Sequence, residues 1–298
     1  MVDRTTWLFV VPSAIWGSTW LAITYQLGDV GPEVSVAYRF ALAAAILAIC
    51  CLASGRSLRF SRREHLRLVG LGAMLFGFNY IGVYQAERFV TSGLVAVLFS
   101  TLVFINPIGM RIFFGTALTL RIFVAAALGV VGVALLFLPE FGRVRGDYAV
   151  YGIAIGIGAT IIASGGNLLA QHAQRIGIPT LAGNAWGMGY GAGVAALTAL
   201  ATGERWAFDV RPGYIFSLAY LALFGSVVAF GAYLTLIKRI GATRAAYTAV
   251  ATPVIALVLS TVFEGYRWSW VGAFGVLLAI AGIVLALKPA AIIRWRRD

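Results

Sequence analysis

The chain of 298 residues is strongly apolar, with 61% hydrophobic residues, only 11% charged residues and a mean hydropathy of +0.91. Because soluble domains carry about 25% charged residues, this composition excludes a water-soluble globular protein and predicts an integral membrane protein. The net charge of +12 does not indicate nucleic-acid binding, since the basic residues fall in short gaps between apolar runs and form no nucleic-acid motif. We expect them to set the topology and to contact anionic lipid headgroups.

Apolar runs of about 20 residues, the length that crosses a bilayer, follow one another along the whole chain. In chain order they predict ten transmembrane helices, at Trp7–Leu27, Ser35–Ala53, Leu68–Tyr84, Thr91–Phe114, Leu118–Leu138, Tyr148–Ala170, Thr180–Ala201, Gly213–Ile237, Thr243–Phe263 and Trp268–Lys288. The first run continues without a small-residue cleavage site, which favours an uncleaved helix over a signal peptide. The fold class predicted is therefore an all-α integral membrane protein with ten transmembrane helices.

The distribution of basic residues predicts the orientation. With the N-terminus in the cytoplasm, 16 of the 23 lysines and arginines lie on the cytoplasmic side and 6 outside, and Arg39 lies within a helix. Positive residues accumulate in cytoplasmic loops, so we expect both termini to be cytoplasmic, in a multi-pass protein of the bacterial inner membrane.

A comparison of the chain with itself at an offset of 150 residues indicates an internal repeat. Gly115 then aligns with Gly265, Gly132 with Gly282, and the prolines at 139 and 289 with each other. The repeat predicts a five-helix unit over residues 1–139 and a second over 140–298, which ends in a short basic cytoplasmic tail. Because five is odd, the second unit enters from the opposite face, which is the inverted-repeat architecture of many transporters.

Several segments resemble a known family. The first helix carries AIWGSTW, and the second half carries LIKRIGATRAAYTAVATPVIALVLSTVFEG followed by WVGAFGVLLAIAGIVLAL, echoed in the first half by ERFVTSGLVAVLFST and an FFG turn. The chain resembles the EamA-type members of the drug/metabolite transporter superfamily, and within it is similar to YddG-type exporters of aromatic amino acids. The resemblance implies two five-helix repeats and small-molecule transport. One departure is that Val103 stands where the second repeat has Pro253.

Polar and aromatic side chains within the predicted helices are the candidates for substrate binding. Such residues suit a neutral or zwitterionic solute, although packing and hydrogen bonding between helices are the alternative for each residue singly. We expect substrate contacts from Trp16, Trp20, Asn79, Tyr80, Asn167, Asn184, Trp186, Tyr247 and Thr248. We expect predicted helices one, three, four, six, seven, eight and nine to line the site, with five and ten peripheral. Arg39 is a candidate contact for a substrate carboxylate, or else extends to the outer interface or pairs with Glu33.

The predicted helices contain no deeply placed acidic residue and no recognisable catalytic motif, which limits the possible functions. No Asp or Glu lies deep within a predicted helix, since Glu33, Glu87 and Glu264 lie at outer ends, which disfavours a carboxylate-coupled proton pump. No catalytic constellation and no metal-ligand spacing is present, so we expect neither an enzyme nor a metal or cofactor site.

The sequence predicts a facilitative, alternating-access transporter, while the resemblance implies export of aromatic or hydrophobic amino acids. A multidrug/metabolite antiporter of the same fold, or a membrane receptor or assembly protein, remains the alternative. The partners expected are a small-molecule substrate and lipid, with a homodimer left open.

Overall fold

A computed structural model describes residues 3–138, 147–263 and 269–288, without the side chains of residues 147 and 259–263. Within these ranges the chain forms helices and connecting turns and no strand. We label the helices α1 (Arg4–Thr24), α2 (Pro32–Ala53), α3 (Arg62–Glu87), α4 (Ser92–Phe114), α5 (Leu120–Leu136), α6 (Asp147–Arg175), α7 (Thr180–Ala201), α8 (Pro212–Ala245), α9 (Thr248–Phe263) and α10 (Trp270–Leu287). The predicted boundary between the two repeats, at residues 139 and 140, lies outside the described residues.

Seven of these helices are long and apolar enough to cross a membrane by length and composition: α1, α2, α3, α4, α6, α8 and α10. The apolar helix α5 and the apolar part of α9 over Thr248–Val258 are shorter. An all-helical membrane protein is therefore confirmed for the described part of the chain, and a total of ten spanning helices stays a prediction.

Local sequence signals explain where several helices begin and end. Pro32, which has no amide hydrogen to satisfy, opens α2. Ser61 and Glu64 form a capping box that starts α3 six residues before the predicted bound at Leu68, within a basic segment that resembled a loop. At the other end of a helix, Gly115 with φ +66° terminates α4, a conformation that favours glycine.

Two long helices contain a segment with the wider π-helical turn. The π segment of α3 spans Gly72–Phe78, and that of α8 spans Leu221–Val228. Near its end α8 also breaks at Gly241, where the backbone takes φ 81° and ψ 159°. Such departures from α-helical geometry are rare and frequently occur at functional sites. Both α3 and α8 contribute residues to a cavity in the middle of the helix bundle, which is described below as the central cavity.

Helices α5 and α10 pack on each other through glycines. A Cβ atom placed on Gly132 would lie 2.5 Å from the backbone nitrogen of Ala279 and 2.6 Å from the carbonyl oxygen of Gly275. The glycines therefore let two helix backbones approach at a distance that a larger residue would prevent. Neither helix contributes a described residue to the lining of the central cavity, in keeping with the peripheral position expected from their apolar sequences.

Candidate functional site

A cavity of about 90 Å³ lies among α1, α3, α4, α6, α8 and α9. Six of the residues predicted to bind substrate line it: Trp16, Trp20, Asn79, Tyr80, Asn167 and Thr248. Sequence reasoning missed Thr19, Phe99, Phe230 and Tyr233, which also line the cavity. The missed aromatic residues lie in long apolar runs, where an inward-facing ring has the same local pattern as a lipid-facing one.

The aromatic wall of the cavity is held in place by contacts between distant parts of the chain. The indole nitrogen of Trp16 donates a hydrogen bond to the carbonyl oxygen of Gly225, at 3.1 Å, within the π segment of α8. The Trp16 ring packs edge-on against Phe230 and Tyr233, with ring centroids 5.0 and 5.1 Å apart. Trp20 packs similarly against Phe99 at 5.9 Å. These edge-to-face pairs fix the ring orientations that a ligand would meet.

A small number of polar atoms on the cavity-lining residues have no hydrogen-bond partner among the described residues. They are the side-chain oxygens of Asn79 and Asn167 and the indole nitrogen of Trp20, all three of them buried. The hydroxyls of Thr248 and Thr252 differ, since they donate to the carbonyl oxygens of Ala245 and Thr248 one turn earlier. An unpartnered buried polar atom is costly, so these two acceptors and this donor would gain from a partner.

Among the residues that the structure describes, no charged side chain lines the cavity, and Arg39 lies behind its wall. Its side chain is fully buried, and its guanidinium packs over the ring of Tyr80, 4.6 Å from the centroid. Its Nε donates to the Ser226 hydroxyl at 3.0 Å and one terminal nitrogen donates to the Tyr84 hydroxyl at 3.4 Å. The expectation that Arg39 extends to the outer interface is wrong, because these hydrogen bonds and the aromatic ring hold it inside the protein. A direct contact with a cavity ligand is not shown either.

Polar contacts join the α1–α2 connection, α2 and α3 on one side of the cavity. The Tyr84 hydroxyl donates to the side-chain oxygen of Gln26 at 3.0 Å, and the Gln85 amide donates to Glu33 at 2.9 Å. Glu33 is 4% exposed, and both carboxylate oxygens of Glu87 are buried. The two acidic residues therefore lie at helix ends as expected from the sequence, but both are withdrawn from solvent. We call this group of side chains the polar network.

On the opposite side the break in α8 is held by two amide side chains. The side-chain oxygen of Gln171 accepts a hydrogen bond from the Ala242 backbone nitrogen at 2.8 Å. The Asn106 amide donates to the Ala242 carbonyl oxygen at 3.2 Å. Because the break at Gly241 interrupts helical pairing, Gln171 satisfies the Ala242 N–H, whereas the Ala242 carbonyl oxygen also accepts from the Ala246 N–H at 3.0 Å. The two side chains connect α4 and α6 to α8. We call this arrangement the amide clamp.

Three predicted site residues lie outside the cavity. Trp186 donates from its indole nitrogen to the Leu58 carbonyl oxygen at 2.9 Å and packs on His65, so it anchors the α2–α3 connection. Asn184 lines a separate, very small cavity between α3, α6 and α7, and α7 contributes no residue to the central one. The structure therefore does not bring Asn184 and Trp186 to the central cavity, because α7 packs against α2 and α3. Substrate contacts from these two residues stay predictions.

Tyr247, the third of these residues, is adjacent in sequence to the cavity residue Thr248 but points away from it. Its hydroxyl donates to the Ile122 carbonyl oxygen at 3.4 Å, and its ring is buried against α5. Tyr247 lies in the turn before α9, and its contacts with α5 direct the ring away from the central cavity. The structure therefore does not bring Tyr247 to the central cavity either, and a substrate contact from it stays a prediction.

Comparison with known proteins identifies the family. The EamA-like transporter family matches the chain twice, over residues 4–138 and 150–288. The chain belongs to this family. The uncharacterized inner membrane transporter YedA of Escherichia coli (strain K12) is 28% identical over 286 residues, which cover 93% of this chain and 90% of YedA. The protein PagO of Salmonella typhimurium (strain LT2) is 24% identical over 288 residues, which cover 94% of this chain and 91% of PagO.

A solved crystal structure shares the fold. It superposes with a TM-score of 0.75 at 19% sequence identity, and covers 95% of this chain and 96% of the other. The family match confirms the resemblance to EamA-type transporters seen in the sequence, and the chain is a membrane transporter of the drug/metabolite superfamily. The narrower similarity to YddG-type exporters of aromatic amino acids stays a prediction.

Proposed function

We propose that this protein carries small zwitterionic metabolites, hydrophobic amino acids above all, across the bacterial inner membrane by alternating access. One observation carries the proposal. The cavity is aromatic and uncharged, and the polar atoms without partners on its lining residues are two amide oxygens and one indole N–H.

These atoms match the two charged ends of an amino acid. An ammonium group donates hydrogen bonds, which the oxygens of Asn79 and Asn167 accept, and a carboxylate accepts from Trp20. The faces of Trp16 and Trp20 also attract a cation. A zwitterion leaves water only when such contacts replace its hydration, and the cavity offers that exchange without a net charge of its own.

The size of the cavity bears on the substrate. Sites for drug-sized ligands usually measure roughly 300–1,000 Å³, and this one measures about 90 Å³. Small hydrophobic amino acids therefore fit the described conformation best, and an aromatic amino acid requires the rings around the cavity to separate. The preference for aromatic substrates and the export direction come from the resemblance to YddG-type exporters.

Alternating access requires a closure on each side of the site. The polar network joins helix ends on one side of the cavity, and the amide clamp joins α4, α6 and α8 on the other. Their hydrogen bonds can break and form separately, which supports a cavity that opens to one side at a time.

An inverted repeat of two five-helix units, over residues 1–139 and 140–298, is part of the proposal. The π segments Gly72–Phe78 and Leu221–Val228 support it, because they occupy the third helix of each half at nearly the offset of the sequence repeat. The distribution of basic residues supports cytoplasmic termini. Labelling of a Phe60→Cys variant from outside intact cells would contradict that orientation.

Coupling to protons distinguishes two candidate mechanisms. The uncharged cavity favours facilitated transport or exchange. The buried carboxyl groups of Glu33 and Glu87 favour a proton-coupled antiporter of the same fold as the second candidate. In proteoliposomes, the first mechanism predicts transport without an imposed pH gradient. A strict requirement for the gradient, lost in Glu33→Gln or Glu87→Gln, would establish the second.

Counterflow tests the central proposal. Purified protein in liposomes preloaded with L-leucine, L-alanine or L-phenylalanine should accumulate the labelled amino acid, and Trp16→Ala, Asn79→Ala and Asn167→Ala should each slow it while the protein remains folded. No counterflow with any of the three amino acids would contradict the substrate class. Wild-type rates in all three variants would place the site elsewhere.

A further inference from the structure

A second and larger cavity, of about 540 Å³, lies at the end of the bundle where α1 begins. A hydrogen bond of 3.4 Å between Arg239, near the end of α8, and the Thr5 hydroxyl places the two elements side by side. The α4–α5 connection, the end of α6, the α8–α9 turn and α10 all contribute to its walls. We call this cavity the basic vestibule, after Arg121, Arg175 and Arg244, which line it.

The vestibule concentrates positive charge. Its three arginines come from three different helices, and no Asp or Glu is among the residues that line it in the described part of the chain. Like charges that line one cavity repel one another where they lie closer than the screening length of about 8 Å at physiological salt. An anion in the vestibule would remove that repulsion.

The arginines are also partly preorganised. Arg121 donates from Nε to the Leu285 carbonyl oxygen at 2.8 Å and also to that of Lys288. Arg175 packs over the Phe114 ring, 4.6 Å from its centroid. Arg244 forms no ion pair with a described residue, so its guanidinium is available to a ligand. Thr116, Thr119, Gln171 and Thr243 add polar groups to the lining.

We propose that the basic vestibule binds a phosphate group, either from the headgroup of an anionic phospholipid or from a soluble organic phosphate. The planar guanidinium matches phosphate oxygens with paired hydrogen bonds. Basic pockets between transmembrane helices on the cytoplasmic side bind anionic headgroups. A phospholipid as the source of the phosphate therefore rests on the proposed cytoplasmic orientation of the vestibule.

The position of the vestibule connects the ligand to transport. Gln171, one helical turn after the cavity residue Asn167, lines the vestibule and holds the amide clamp. A phosphate bound there lies against the clamped turn and opposes its movement. The ligand would therefore favour the conformation in which this end of the central cavity is closed.

Thermal unfolding of the purified full-length protein in lipid nanodiscs tests the lipid source. We expect phosphatidylglycerol, added to phosphatidylcholine, to raise the unfolding temperature of the wild type. A basic residue near an anionic surface contributes about 1 kcal/mol, or about fivefold in apparent affinity. The Arg175→Gln/Arg244→Gln variant should therefore lose most of the phosphatidylglycerol effect. Arg121 is left intact, because its hydrogen bonds support the end of α10.

A matched control removes the same charge elsewhere. Arg59→Gln/Arg63→Gln, in the exposed connection before α3 and at its start, should keep the phosphatidylglycerol effect. In a second arm, detergent-purified protein without anionic lipid is titrated with glycerol 3-phosphate. Protection there, lost in the vestibule variant, assigns the site to soluble phosphates. An equal response of the vestibule and control variants to the lipid, with no protection by the soluble phosphate, would overturn the proposal.

Discussion

Replacement of Asn79 by Ala tests the feature on which substrate recognition is proposed to depend. The Asn79 side-chain oxygen is buried on the cavity wall without a partner, and its amide nitrogen donates to the Leu75 carbonyl oxygen at 3.2 Å. A hydrogen bond to a charged group contributes about 1.5–3 kcal/mol. Loss of the contact to a substrate ammonium group should therefore weaken binding about ten- to hundredfold.

The same substitution should leave the unliganded protein nearly as stable as the wild type. Loss of the bond to Leu75 costs about 1 kcal/mol, and removal of an unpartnered buried oxygen relieves a cost of about 1–3 kcal/mol. The two changes offset each other. Weaker binding together with an unchanged unfolding temperature would thus separate a recognition role from a structural one.

Thr252→Ala is the matched control. Thr252 also lines the cavity, but its hydroxyl proton is donated to the Thr248 carbonyl oxygen of its own helix at 2.8 Å, and the proposed recognition assigns it no substrate contact. Equilibrium binding of labelled L-leucine to purified protein should show less than about a threefold change for this variant, below one neutral hydrogen bond. Equal losses of affinity in the two variants would refute the assignment of the Asn79 oxygen as a substrate acceptor.

Three further outcomes are expected. Gly132→Ala should destabilise the protein by about 1–3 kcal/mol, because the added methyl group meets the α10 backbone. In Gly158→Ala the methyl group meets nothing within 4 Å, so this control should stabilise the protein by about 0.5–1 kcal/mol. Thermal unfolding of the two variants compares these effects. Ser226→Ala should lower the free energy of unfolding by about 1.5–3 kcal/mol, because buried Arg39 loses a hydrogen-bond acceptor. The Ser217 hydroxyl donates within its own helix, so Ser217→Ala should lower it by less in the same assay. Liposome transport should respond only weakly to an imposed pH gradient, and a strict gradient requirement would contradict the facilitative mechanism.

The helices were largely predictable because hydropathy is a local property. The predicted bounds of α7, Thr180–Ala201, are those of the structure, and α4 differs by one residue at its start. The larger differences lie where charged residues continue a helix beyond its apolar run. Helix α6 extends to Arg175 rather than Ala170, and α3 begins at Arg62. Hydropathy marks the apolar part of a helix, whereas caps and tertiary contacts determine its ends.

The sequence by itself determined the membrane environment, the helical class and the kinds of side chain available to a site. Tertiary structure alone decided which of them share a cavity. Asn79 and Asn167 face the cavity and Asn184 does not, although each is a buried amide in an apolar helix. The indole nitrogen of Trp16 finds its acceptor, Gly225, 209 residues away. A helix sequence specifies the angles between its own side chains, but the direction in which each face points depends on packing against helices that are distant along the chain.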